Sequence, residues 1–87
     1  MYKLKPDIVY NNLFKQIAKC KGSVSFKTIN GDVFNLNSIF SRFVFITFMS
    51  NKELLKTGQL LFDISDLPLL KEYLVEVKEE DSAEPSL

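Results

Sequence analysis

The chain contains no histidine, a single cysteine and, in 87 residues, no apolar stretch approaching a membrane span. Without histidine it can build neither a Cys/His zinc site nor an imidazole acid/base pair that works near pH 7. With Cys20 alone it forms no internal disulfide. Its most apolar segment, residues 43–49, is seven residues long and interrupted by Thr47. Crossing a bilayer takes about 20 residues, so that segment is expected to be buried in protein. An excess of one charge is also missing. The 11 Lys and Arg balance 11 Asp and Glu, and the overall field marks the chain as neither a nucleic-acid nor a membrane binder. Residues 1–6 alternate charged and apolar side chains without the continuous apolar core of a secretory signal, which sets a reducing cytoplasm as the expected location.

What is present is an ordinary globular composition, 46% hydrophobic and 25% charged, at a length that supports one small domain around one core. That domain is expected over residues 1–77. From Lys78 onward only Ala83 and Leu87 are apolar, and residues 78–87 read as an acidic, solvated tail. The charges are unevenly divided. Residues 1–42 hold seven Lys/Arg and two Asp, whereas residues 43–87 hold four Lys and nine Asp/Glu, an arrangement that suits self-association.

Tyr10, Leu13, Phe14 and Ile17 recur at the i, i+3, i+4, i+7 spacing of one helix face. This predicts a helix over residues 8–20, with Asp7 at its start, Lys19 and Lys21 near its negative end and Gly22 as its stop. Val24, Phe26 and Thr28 then alternate with Ser25 and Lys27 as a half-buried strand, and Asn30-Gly31 signals a hairpin into residues 33–36. A two-residue loop would send Phe34 and Leu36 to the face opposite Val24 and Phe26. A three-residue loop over residues 30–32 pairs Ile29 with Val33 and Phe26 with Leu36, and gathers all four apolar side chains on one face. Burial favours the second register.

Asn37-Ser38 is an N-cap signature ahead of Ile39, Phe40, Phe43, Val44 and Ile46, and predicts a second helix over residues 38–49. Taken alone, the aromatic and β-branched residues 43–49 also suit a central strand; the cap and the 39/43/46 and 40/44/48 ladders favour the helix. Residues 50–58 read as a short irregular helical connector closed by Gly58. Leu60, Phe62 and Ile64 alternate with Leu61 and Asp63 as a third strand. Ser65-Asp66 ends it and caps a last helix, with Pro68 in the first turn and Leu67, Leu70, Leu74 and Val77 as the buried stripe. This order of elements describes an α+β open-faced sandwich, a small antiparallel sheet with about three helices on one face.

The stretch Phe14-Lys-Gln-Ile-Ala-Lys-Cys-Lys-Gly-Ser-Val-Ser-Phe26, followed by Asn30-Gly31 and by Asn35-Leu36-Asn37-Ser38-Ile39, resembles the histidine-containing phosphocarrier protein HPr of the sugar phosphotransferase system. The likeness covers residues 12–74. HPr carries its phosphoryl group on a histidine just before helix one, in a Gly-Leu-His-Ala-Arg-Pro segment that follows a full first strand. Here that neighbourhood reads Lys5-Pro6-Asp7-Ile8, and only residues 2–5 remain for a first strand, which is therefore shortened or missing. A chain without an imidazole cannot relay a phosphohistidine. The sequence is more similar to a group of small uncharacterised bacterial proteins that keep the HPr-like core without the active site, so the resemblance implies fold rather than activity.

The resemblance also singles out Ser38, which matches the position where HPr of Gram-positive bacteria is phosphorylated by a regulatory kinase. A phosphate there would meet the free N–H groups of a helix start, although Asn37 stands where the family has lysine, and an N-cap role accounts for Ser38 by itself. Cys20 is flanked by Lys19 and Lys21, which lower a thiol pKa, but it lies at a helix C-terminus that opposes the thiolate; a small buried or half-buried hydrophobe is the better reading. Lys15, Lys19, Lys21 and Lys27 near Tyr10 are better read as a solvated face than as a nucleic-acid surface. Asp63 and Asp66 read as strand terminator and cap.

Eight phenylalanines remain. Phe40, Phe43, Phe45 and Phe48 surround most of helix two, more than one sheet-facing side requires. Either residues 50–58 and Tyr73 cover the surplus, or it is a self-association surface. A short first strand would in addition leave residues 60–64 as an unpaired edge, unless the N-terminus folds back onto it. The expected interface residues are thus Phe40, Phe45 and Phe48 on helix two and Leu60 and Phe62 on the edge. The function expected is that of a non-enzymatic HPr-like module that binds a protein partner or a second copy of itself, without catalytic residues, metal or cofactor. A regulatory protein switched by phosphate at Ser38 is the alternative, and a small nucleic-acid binder the third.

Overall fold

The computed structural model describes residues 1–77; the expected acidic tail lies outside the described residues. Within them, strands β1 (Tyr2–Leu4), β2 (Ser25–Lys27), β3 (Val33–Asn35), β4 (Gln59–Leu61) and β5 (Leu74–Glu76) form one sheet. The helices are α1 (Tyr10–Ile17), α2 (Ile39–Phe48), α3 (Lys52–Thr57) and α4 (Leu67–Leu70), the last continued on both sides by 3-10 turns at Ile64–Asp66 and Lys71–Tyr73. The strand order is β3-β2-β4-β1-β5 and every pairing is antiparallel. No helix among the described residues is long and apolar enough to cross a membrane.

Residues directly opposed in such a ladder share a face. Phe26 opposes both Phe34 and Leu60, Leu60 opposes Tyr2, and Leu4 opposes Leu74. Apart from the half-buried Tyr2, all of these are buried. The other face presents Lys27, Val33, Asn35, Leu61 and Val75 and is exposed. Helices α1 and α2 lie over the apolar face, α4 packs on α1, and α3 packs on β1. The architecture is therefore the α+β open-faced sandwich, with a short first strand that is present. The chain keeps all four of Val24, Phe26, Phe34 and Leu36 in the core.

The hairpin reaches that result in a different register. Phe26 pairs with Phe34 rather than Leu36, and the three-residue loop is residues 29–31. The reason is Gly31, whose φ of 96° places it in the left-handed region, where glycine is the residue of lowest cost. A three-residue hairpin needs that conformation at its third loop position, which a loop over residues 30–32 would have given to Asp32. The resulting shift is two residues, so every side chain keeps its face. Thr28 locks the turn: its N–H donates to the Asp32 carbonyl (2.8 Å) and its Oγ1 accepts from the Asp32 N–H (3.1 Å).

Further expectations are corrected. Helix α1 is shorter than residues 8–20 and starts from Val9 without a side-chain cap, so Asp7 plays no capping part. The strand expected over residues 60–64 ends at Leu61, and Ile64 is exposed in a 3-10 turn. Strand β4 is also no edge, since β2 and β1 flank it. The last helix stops at Tyr73, and Leu74 leads a fifth strand instead of a helical stripe. Residues 74–77 carry two valines in alternation with Leu74 and Glu76, a strand pattern, and pairing with β1 satisfies backbone groups that a shortened first strand would leave open. That pairing extends past the strand ends, with the Lys5 N–H on the Tyr73 carbonyl (3.0 Å) and the Val77 N–H on the Met1 carbonyl (2.8 Å).

Asp66 occupies the N-cap position of α4, but its side chain makes no cap hydrogen bond there. Its buried carboxylate accepts from the Lys21 N–H (3.0 Å) and the Gly22 N–H (2.9 Å), which fastens the loop after α1 to the turn before α4. A Cβ on Gly22 would lie 2.9 Å from the Asp63 Cβ, so this close approach requires glycine.

Two stability predictions follow from this packing. Phe45 is fully buried between both layers, and Phe45→Ala should cost about 3–5 kcal/mol, read as a lower denaturant midpoint at unchanged slope. Asp66→Ala removes two charge-assisted bonds and should cost about 3 kcal/mol, with hydrogen exchange accelerating at the Lys21 and Gly22 amides.

Candidate interaction surface

Helix α2 is set by its N-terminus. Ser38 is its N-cap and its Oγ accepts from the Ser41 N–H (3.5 Å), while Asn37 Oδ1 accepts from the Val24 N–H (2.7 Å) and ties the cap to the strand before β2 proper. Arg42 Nε donates to the Leu36 carbonyl (2.6 Å), and its guanidinium lies 5.2 Å from the centre of the Phe14 ring. These contacts fix the rotation of the helix so that Phe45 faces inward. There it meets Tyr10 (5.6 Å), Phe14 (6.3 Å), Phe26 (5.3 Å) and Phe34 (6.1 Å), mostly edge-on, the arrangement aromatic quadrupoles favour.

The same rotation turns the expected 39/43/46 ladder outward. Ile39 is 67% exposed, Phe40 75% and Phe43 67%, with Val44 and Ile46 also exposed. At about 100° per residue these positions form one continuous strip. Thr47 sits among them as an exposed residue, and its hydroxyl donates to the Phe43 carbonyl (3.1 Å). No charged side chain belongs to the strip, because Arg42 is held against Phe14 and Leu36. Residues 50–58 do not cover it, since α3 packs on β1, and Tyr73 packs on the core.

Of the expected interface residues, Phe40 lies in this strip. Phe45 and Leu60 are corrected: both are buried, Phe45 under the sheet-facing side of α2 and Leu60 in the interior strand β4, so neither can form a surface. Phe48 is half-buried with its ring 5.0 Å from Phe34, and Phe62 is half-buried against Tyr2 at 5.3 Å. Ser38 is half-buried one residue ahead of the strip. Lys15, Lys19 and Lys21 lie on α1 and the turn after it, whereas Lys27 points from β2 onto the open sheet face; the four do not gather on one surface.

A second feature was not legible in the sequence. A groove of about 680 Å³ runs between α3 and strands β1 and β5, within the size range of ligand sites. Its apolar lining includes Leu4, Leu55 and Val75, and its cationic lining is Lys3, Lys52 and Lys56. Some fifty residues separate Lys3 from the other two, so only the β1–α3 contact brings them together. Glu53 is the one carboxylate of the lining among the described residues.

The titratable groups outside these surfaces serve local structure. Asp63 accepts from the Ser65 N–H (2.9 Å) and hydroxyl (2.8 Å), and these bonds hold its carboxyl below the usual carboxylate range. Cys20 is half-buried, its thiol donating to the Gln16 carbonyl (3.5 Å). Burial first, and the negative charge of Asp66 second, push that thiol up from its ordinary value. Among the described residues no cluster of three or more Cys, Asp or Glu side chains is placed to hold a metal ion.

No protein-family model, curated protein or solved structure matches the chain.

The Cys20 geometry predicts slow alkylation. Because the folded thiol holds its proton more tightly than the unfolded one, the rate with iodoacetamide should reach its midpoint above the ordinary thiol value of about 8.5. By the same sign, the thiol's contribution to stability is complete below the unfolded pKa and declines as pH rises toward the folded one. Mass-spectrometric alkylation against pH measures the first, and thermal melting across the same range the second.

Proposed function

We propose that the protein is a non-enzymatic, cytoplasmic interaction module of the HPr-like kind, and that it pairs with a second copy of itself through the outward face of α2. The observation that carries this reading is the uncharged strip of Ile39, Phe40, Phe43, Val44 and Ile46 on one ten-residue helix. Soluble proteins seldom leave contiguous apolar surface of this kind to water unless something binds it. A second copy is the natural occupant because two identical uncharged strips are self-complementary about a two-fold axis, with no like charges to repel. The opposite charge of the two halves of the chain supplies a further attraction at the margins. The HPr-like part of the reading is supported by β1 lying beside β4, as in the HPr arrangement, and by Ser38 opening α2. The relay chemistry of that family is absent, because the chain has no imidazole.

Sedimentation equilibrium at micromolar concentration tests the pairing: the expected mass is about twice the 10.0 kDa of the chain. Phe40→Lys and Phe43→Lys should each raise the dimer dissociation constant at least about tenfold, equivalent to roughly 1.4 kcal/mol. Stability of the monomer should stay within about 0.5 kcal/mol, as at other exposed positions. A mass that stays at the single-chain value as concentration rises overturns the reading.

A further inference from the structure

The groove between α3 and the β1–β5 pair is independent of the α2 strip, and three observations converge on what fills it. The first is position. Val77 is the last described residue, lines the groove, and is fixed by its N–H on the Met1 carbonyl (2.8 Å), so the described part of the chain ends at the groove. The second is charge. Among the described residues the lining offers Lys3, Lys52 and Lys56 against Glu53, while residues 78–87 carry Glu79, Glu80, Asp81 and Glu84 against Lys78 alone. The third is the mixture of apolar and polar surface. Leu4, Leu55 and Val75 give the groove apolar walls, and the segment brings Ala83, Pro85 and Leu87 among its acids.

We propose that the groove is a docking site for an extended acidic peptide, and that its occupant is this chain's own residues 78–87. Each extended residue covers about 3.3–3.6 Å, so a few residues beyond Val77 reach any part of the lining. Exposed ion pairs are individually weak. A short tether nevertheless raises the effective concentration of the segment to the order of millimolar, and several weak pairs acting together then suffice for a reversible contact. The contact screens with salt, and any other acidic peptide entering the groove must displace the segment first. The groove thereby has a built-in competitor.

Paramagnetic relaxation in the full-length chain tests this. Cys20→Ala with Ser86→Cys allows one nitroxide to be placed in the segment. At low salt, the amide signals of Lys3, Lys52, Leu55 and Val75 should be selectively lost and those of β3 retained. The loss should reverse with Lys52→Glu combined with Lys56→Glu, and at about 1 M salt, where the screening length falls to ~3 Å. Absence of selective loss overturns the proposal. So does an equal loss on isotope-labelled chains that carry no nitroxide when they are mixed with unlabelled nitroxide-bearing chains, which would assign the groove to a second copy's segment. A loss that survives both charge reversal and high salt overturns it as well, since groove charges would then play no part.

Discussion

Phe45 touches four other aromatic rings, one or more from each layer of the molecule, and the rest of the architecture is arranged around it. Tyr10 and Phe14 come from α1, Phe26 from β2 and Phe34 from β3. In a domain this small the helices must close one sheet face with few side chains, and a single central phenylalanine with edge-on neighbours joins α1, α2 and the sheet at one point. Its position dictates the rest of α2. With Phe45 inward and Met49 one turn later beside it in the core, Phe40 and Phe43 have no place except outside. The exposed strip is thus a direct consequence of how the core is closed.

The loops are held by polar side chains acting over long sequence distances. Asp66 takes two amides from the turn after α1, Asn37 takes the Val24 amide, and Arg42 spans from the Leu36 carbonyl to the Phe14 ring. Each satisfies a backbone group at an element end and fixes an angle between elements. Gly58 has a complementary task. A Cβ there would collide with the Phe26 ring, so the junction of α3 and β4 can press directly on the core. On its other side α3 packs on β1 and forms one wall of the groove.

Much of this was legible in local patterns. The α+β class, the helix over Ile39–Phe48 and its Ser38 cap, the α3 connector, and the one-sided core of Val24, Phe26, Phe34 and Leu36 all follow from periodicity and turn chemistry. At the C-terminal end Leu67, Leu70 and Leu74 fit a helical stripe while residues 74–77 also fit a strand, and the two patterns share Leu74. Backbone pairing with β1 decides between them, and no local pattern reports that partner. The interior place of Leu60 is hidden from local patterns for the same reason. Whether a strand is an edge depends on its neighbours, and β1 lies fifty-odd residues away in sequence.

By itself, the sequence determined that no histidine chemistry or internal disulfide is available, that no apolar run is long enough for a membrane-crossing helix, and that a small α+β core would form with apolar side chains on one sheet face. Those conclusions depend only on which side chains exist and on the periods of 2 and about 3.6 that carry them to one side. The tertiary structure alone decided which phenylalanines are inside, which strand closes the sheet and where lysines from distant segments meet. A helix with apolar residues around most of its circumference can be turned either way by its own sequence. The Tyr10, Phe14, Phe26 and Phe34 rings across the interface, together with the Asn37 and Arg42 contacts at the start of the helix, select Phe45 as the buried residue and leave Phe40 and Phe43 to the surface.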